Sequence, residues 1–427
     1  MIAGPGAGKS RVLSSRLAHL LLFGRCKPHQ ILVLSFTHNA AKNLRVKAEK
    51  MLLNSVNYLY SVESIVSSSG VYCDTFHGFC SMVLKNHGHL LNLGDDLKIA
   101  DEYEQLKIMT SLLKRGDYES SNVAMATNLL RRIRFWKESG LGFLGVQQKF
   151  LTSWTEKRAY EIYPIYQREL RSRSALDFGD LLLFTLRLFR ENRDVLEIYR
   201  DKYNHILVDE FQDISPAQYD ILRILVVGFL DDVIPISNNG DEPYVRSEFR
   251  GNNIINIEGT KKCQENHVKS ISTAATFESD TMGSKSNLVP FESSHKQNVE
   301  DAYNNDLNIH VRMKQKVVRR TINVFCAGDD DQSIYGFRGS HIELMRRFRF
   351  DFPNAKVFKF DTSYRMPNSL CQITESVVDP LTDRISKVLY NETGRMESGP
   401  PLEIKKFSDE NCELEWISSH LNELKGK

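Results

Sequence analysis

Residues 3–10, AGPGAGKS, set a lysine and a hydroxyl directly after a run of small residues, a composition suited to holding phosphate. Gly4, Gly6 and Gly8 let the backbone turn tightly and aim successive N–H groups at an anion, where a helix amino terminus would add its dipole. Lys9 would reach the β- and γ-phosphates, and the Ser10 hydroxyl would ligate Mg²⁺. The usual pattern GxxxxGK[ST] begins with Gly, where this chain has Ala3. A glycine-rich turn before a helix can also be purely structural, so the loop alone decides little.

A second stretch, LVDE at residues 207–210, changes the balance. An apolar strand that ends in two carboxylates places Asp209 to hold Mg²⁺, directly or through water. Glu210 then stands beside the water that attacks a γ-phosphate. Adjacent acids at the end of a buried strand are costly without a cation. A solvated acidic turn is the plain alternative, but a phosphate loop on the same chain favours hydrolysis of a nucleoside triphosphate.

Such residues need a frame, and the rest of the chain predicts one. Val12, Leu13, Leu17, Leu20 and Leu21 form a helical stripe after the loop, ILVLSFT (31–37) reads as a buried strand, and residues 40–53 are helical again. This alternation predicts an α/β fold with a parallel, doubly wound sheet. Residues near 95–170 are helix-rich and charged, without convincing strands, which suggests a helical subdomain inserted into the core. Residues 231–320 are rich in Asn, Ser, Lys and Glu with no sustained period, and read as a disordered insertion or translated non-coding sequence. Beyond them follow strands at VFKF and LEIKKF and helices at 369–388 and 410–424.

The 427 residues allow two to four domains. The net charge of +2 gives no general attraction to nucleic acid, so any such binding needs a local basic groove. The seven cysteines form no CxxC pair, which argues for free thiols rather than a metal site. No stretch approaches the ~18 apolar residues of a membrane span.

Seven segments in order (AGPGAGKS, SFTHNAA, DTFHGFC, LDFGDLL, VDEFQD, AGDDDQSIYGFRGS and SYR) resemble the motifs of UvrD/Rep-type superfamily 1 DNA helicases. The likeness covers residues 1–230 and 321–427, and GDDDQSIYGFRG is its most specific part. The family tolerates Ala at the first loop position. The resemblance implies two RecA-like lobes with ATP and Mg²⁺ between them. It divides the chain into a first lobe at 1–90, an inserted helical subdomain at 91–170, the first lobe again at 171–230, the polar insertion at 231–320, the end of the lobe at 321–352, and the start of a second RecA-like lobe at 353–427.

Residue by residue, the likeness implies that Ala3, Gly4, Pro5, Gly6, Ala7, Gly8, Lys9 and Ser10 hold the triphosphate, that Arg11 packs on the adenine, and that Tyr364 and Arg365 stack on its other face and reach the γ-phosphate. Ser10 and Asp209 would share the metal. Lys9, Asp209, Glu210 and Gln332 would form the catalytic set, with Gln332 sensing the γ-phosphate and Gln212 beside it. Bases of a DNA strand would stack on Phe36, Tyr335 and Phe337, while Thr37, Asn39, Thr75, His77 and Arg338 hold phosphates or sugars without reading sequence. The family usually has Trp at the place of Phe337. DFGD (177–180) looks like a kinase metal motif, but no catalytic loop precedes it, and it matches the family's LDFxDLL segment.

The implied activity is ATP-driven 3′→5′ movement on single-stranded DNA with unwinding of duplex, in DNA repair. The flavour is nearest to eukaryotic anti-recombination helicases, which implies a nuclear location. The family's adenine-reading Gln segment would precede Met1 and the rest of its second lobe would follow Lys427, so the chain is expected to be cut at both ends and inactive in unwinding. The alternatives are a non-catalytic nucleotide- and DNA-binding paralogue and the helicase half of a helicase–nuclease.

Overall fold

A computed structural model describes residues 1–23, 26–56, 70–94, 96–115, 123–228, 322–336, 339–381, 384–385, 387–391 and 403–425. The polar segment 231–320, Phe337 and Arg338 lie outside the described residues. Along the chain run β1 (Ile2–Ala3), α1 (Lys9–Leu22), β2 (Ile31–Ser35), α2 (His38–Val56), β3 (Tyr72–Thr75) and α3 (Phe76–His87). Then come β4 (Lys98–Ile99), α4 (Glu102–Arg115), α5 (Val123–Glu138), α6 (Trp154–Ser172), β5 (Ala175–Leu176), α7 (Phe178–Glu191), α8 (Arg193–Lys202), β6 (His205–Val208) and α9 (Pro216–Val227). The chain continues through β7 (Asn323–Cys326), α10 (Glu343–Asp351), β8 (Lys359–Phe360), α11 (Asn368–Val378) and α12 (Glu410–Lys425).

The main sheet is parallel throughout, in the order β3-β2-β6-β7. Every residue of β2 is buried, because helices cover both faces and leave no room for an alternating polar side. One face packs on α3, α7, α8 and α9 through residues such as Phe79, Phe189 and Ile221. The other packs on α1 and α2 through Leu13, Leu17 and Leu44. The α/β parallel-sheet expectation is met.

The short strand β1 extends this sheet. Ala3 N donates to Gly328 O at 3.1 Å, and Gly328 N donates to Met1 O at 3.1 Å. On its far side β1 pairs in parallel with β8, Ile2 opposite Lys359. The strand VFKF was expected to open a second lobe from residue 353. It pairs with β1 in a two-stranded parallel ladder, with Ile2 N donating to Phe358 O at 2.8 Å. Two expectations are corrected. The helix read as 369–388 stops at Val378, where Pro380 removes an N–H and crowds the preceding turn. Residues 403–407 of LEIKKF carry no strand.

Helices α4, α5 and α6 enclose their own apolar cluster around Ile108, Ile133, Trp136, Tyr163 and Tyr166. It is joined to the sheet by a buried ion triad. Lys137 on α5 is fully buried, with its Nζ 2.7 Å from both Asp177 and Asp180. Asp177 also caps α7, accepting from Asp180 N at 2.9 Å, and Tyr166 donates to it at 3.1 Å. DFGD is thus a helix start and an anchor for the helical cluster. Among the described residues no helix is long and apolar enough to cross a membrane.

Candidate nucleotide and strand site

The carboxyl ends of β1, β2, β3, β6 and β7 deliver the glycine loop, Phe36, Phe76–His77, Asp209 and Asp329 to one edge of the sheet. That edge is where parallel α/β sheets bind ligands.

The loop after β1 turns through Gly6 and Gly8, both with left-handed backbone (φ 77° and 87°), and Gly8 starts α1. A side chain at Gly6 is excluded twice, since its Cβ would also meet Ser363 Oγ at 2.6 Å and Arg365 Cβ at 2.7 Å. The segment carrying Tyr364 therefore docks on the loop. Ser363 Oγ donates to Pro5 O at 3.1 Å and Tyr364 N donates to Gly6 O at 3.1 Å. The side chains of Tyr364 and Arg365 are exposed above it, as is Arg11, while Ser10 is half-buried. Lys9 is buried. Its Nζ donates to Ala3 O at 3.1 Å and lies 3.7 Å from Asp329 Oδ2.

Asp209 directly follows β6, held by its N–H on Leu34 O at 2.9 Å. Burial, and then the neighbouring Glu210 charge, push its carboxyl up to about 6. Glu210 takes a left-handed backbone (φ 49°), an uncommon conformation for a residue with a side chain. Asp213, again through burial and then Glu210, is pushed up to about 7. Asp209 and Asp213, two acids whose charged forms are disfavoured beside Glu210, make a place for a cation. Asp209 and the Ser10 hydroxyl are hard oxygen donors of the kind Mg²⁺ takes, so the residues present fit that ion.

Gln212 ties this acidic end to β7. Its Nε2 donates to Glu210 Oε2 at 2.9 Å and to Asp213 Oδ2 at 3.3 Å, while its Oε1 accepts from Asp329 N at 2.9 Å. Gln332 Nε2 donates to Asp329 Oδ2, the same oxygen that faces Lys9. Lys9 and Gln332 therefore meet at one wholly buried carboxylate, while Gln212 holds the backbone N–H of the same residue. Asp329 stands inside GDDDQSIYGFRG, where the motif alone assigns it no role. The signal was three successive acids directly after an apolar strand, where buried charge demands cations.

Phe36 and Tyr335 stack on each other with ring centroids 4.9 Å apart and planes 29° from parallel, both half-buried. Thr37 and Asn39 are exposed beside them, although the Thr37 hydroxyl also accepts from Ala40 N at 3.2 Å. Ser35 and Thr75 are register partners, so Thr75 and His77 leave the adjacent strand end. Thr75 is buried and spends its hydroxyl on the cap of α3, accepting from Gly78 N at 3.0 Å. His77 is held neutral, its pKa lowered to about 4 by burial and then by Arg134. Its Nε2 has no hydrogen-bond partner among the described residues, and its ring meets Phe178 edge-on at 5.7 Å. Phe178 is 42% exposed and was overlooked because DFGD was weighed for its acids.

Residues 1–262 and 300–353 match the UvrD/REP helicase N-terminal domain. The chain is 25% identical to DNA helicase II of Rickettsia typhi over 99% of its length and 48% of that protein. It is 23% identical to ATP-dependent DNA helicase PcrA of Leuconostoc citreum over 100% of its length and 42% of that protein. Against DNA helicase II of Escherichia coli it is 23% identical over 92% of its length and 40% of that protein. The chain thus spans less than half the length of these relatives. All three are bacterial, which overturns the nuclear location expected from a eukaryotic flavour. With its loop, its acidic strand end and its Gln332 segment in these places, the chain belongs to the UvrD/REP helicase family.

Proposed function

We propose that this protein uses ATP and Mg²⁺ to drive movement along single-stranded DNA, in the 3′→5′ direction, with duplex unwinding as the outcome. One observation carries the reading: Asp329 links Lys9 of the phosphate loop to Gln332, and Gln332 lies three residues before Tyr335 of the aromatic pair. A change at the nucleotide therefore has a short, buried route to the surface where bases would stack.

In this reading the loop N–H groups and Lys9 bind the β- and γ-phosphates, and Ser10 and Asp209 hold Mg²⁺. Bound there, the ion would neutralise phosphate charge. Glu210 orients the attacking water and accepts its proton, and Gln212 fixes the Glu210 carboxylate in place. Arg11, Tyr364 and Arg365 surround the base and γ-phosphate from the exposed side of the loop. Phe36 and Tyr335, with Phe337, grip the strand, and Phe178 extends the surface toward His77. Thr37, Asn39 and Arg338 hold its backbone. Thr75 serves by capping α3 and so setting His77.

The test is ATP hydrolysis with and without a single-stranded oligonucleotide. Hydrolysis should rise with the strand, and Glu210→Gln should lower it roughly a hundredfold or more while nucleotide still binds. Hydrolysis indifferent to both strand and Glu210→Gln would refute the reading.

A further inference from the structure

We propose that Lys387 is a positioning residue: it holds the Asp329 carboxylate in place while Lys9 turns to a nucleotide, so that Gln332 can pass on nucleotide occupancy. The inference rests on the nucleotide and strand sites proposed above, and it assigns a part to a residue outside all of their motifs.

The two oxygens of Asp329 serve different partners. Oδ2 accepts from Gln332 and faces Lys9 at 3.7 Å, beyond hydrogen-bond length. Lys9 is therefore loosely tied to Asp329 and able to leave it. Oδ1 lies 2.7 Å from Lys387 Nζ. Lys387 is buried, and its ammonium also pairs with Asp330 and, at 2.9 Å, with Asp331. An ammonium has three N–H groups, and three carboxylates are here to take them. Without Lys387, the departure of Lys9 to a phosphate would strand a buried carboxylate with no cation. Such a group moves toward another partner, and its bond to Gln332 is lost.

Lys387 is also placed to feel the other side of the loop. Tyr390 O accepts from Ser363 N at 2.7 Å, and Asn391 Nδ2 donates to Met366 O at 2.8 Å. The strand of residues around Lys387 thus brackets the Ser363–Met366 turn that sits on Pro5 and Gly6. Arg384 clamps the same segment, pairing with Asp331 at 2.9 Å and Glu375 at 2.7 Å, yet among the described residues no hydrogen bond or ion pair joins it to Asp329. Comparing Arg384 with Lys387 separates a clamp from a relay.

The experiment measures binding of a fluorescent oligo-dT by the purified chain, with and without Mg²⁺ and a slowly hydrolysed ATP analogue, and binding of a fluorescent nucleotide alone. The wild type should change its strand affinity about fivefold or more when nucleotide is added, the lower range of coupling between sites. Lys387→Met should bind each ligand alone nearly as well and lose that coupling. Lys387→Arg and Arg384→Gln should keep it. Should Lys387→Met fail to fold, Lys387→Gln combined with Asp330→Asn, which removes surplus charge, carries the same expectation. A Lys387→Met protein that retains coupling, or a wild type that binds both ligands without coupling, overturns the relay and leaves both sites standing. Loss of coupling in Arg384→Gln equal to that in Lys387→Met assigns a structural clamp and also overturns it. A wild type that binds neither ligand overturns the site reading and the relay with it.

Discussion

Replacing Asp209 by Asn should make the nucleotide-free protein more stable at pH 8. Asp209 is 3% exposed, and burial and Glu210 raise its pKa from 3.8 to about 6. A folded-state pKa raised above the unfolded value means that the fold favours the protonated form. The stability this lends is present below about pH 4 and is lost as pH rises through about 6. At roughly 1.4 kcal/mol per unit, the ionised carboxylate costs about 3 kcal/mol at pH 8. Asparagine keeps an acceptor for Glu210 N, now bonded to Asp209 Oδ1 at 3.0 Å, and carries no charge. Urea unfolding of both proteins at pH 4, 6 and 8 measures the difference. It should be near zero at pH 4 and grow to about 3 kcal/mol in favour of the variant at pH 8. Saturating Mg²⁺ and nucleotide should shrink it by stabilising only the wild type. A variant that is less stable at pH 8, or a difference that ignores pH, would refute the idea that this carboxylate is held in wait for a cation.

Phe36→Ala should weaken oligo-dT binding by about 1–3 kcal/mol with little sequence preference, read by fluorescence anisotropy; unchanged affinity would remove Phe36 from the strand surface. Lys137→Met should destabilise the protein by about 3–5 kcal/mol in urea, since Asp177 and Asp180 then share a buried site without a cation. Adding Asp180→Asn to that variant should recover part of the loss.

Much of this architecture could be read from local pattern. The loop, the strand ILVLS and the helix caps are each specified within a few residues, and Ser153, Asp177 and Ser215 each form a capping box with the residue three positions on. The acids at 209–210 were legible because an apolar strand ran straight into them. What escaped was non-local. Asp329 is shared by residues 9, 332 and 387, and no spacing rule links those positions. The pairing of β8 with β1 escaped likewise, since a two-residue strand has no period. The overlong helix at 369–388 came from following apolar periodicity through Pro380, where backbone chemistry should have prevailed. Phe178 was hidden by its neighbours: two conspicuous acids drew attention from the aromatic face between them.

The stub of strand that carries the glycine loop is fastened by partners from the opposite end of the sequence, Met1 to Cys326 across 325 positions and Ile2 to Lys359. During synthesis, then, residues 1–3 wait roughly 15–65 s, at ordinary elongation speeds, before residue 326 and its neighbours exist to dock them. A segment made early is thus fastened late. Ring closure over such a span adds little to the final energy, because its entropy grows only logarithmically, but it delays the event itself. A nascent chain halted before residue 326 would hold the helices and inner strands of the sheet and no seat for ATP, so nucleotide cannot assist its early folding.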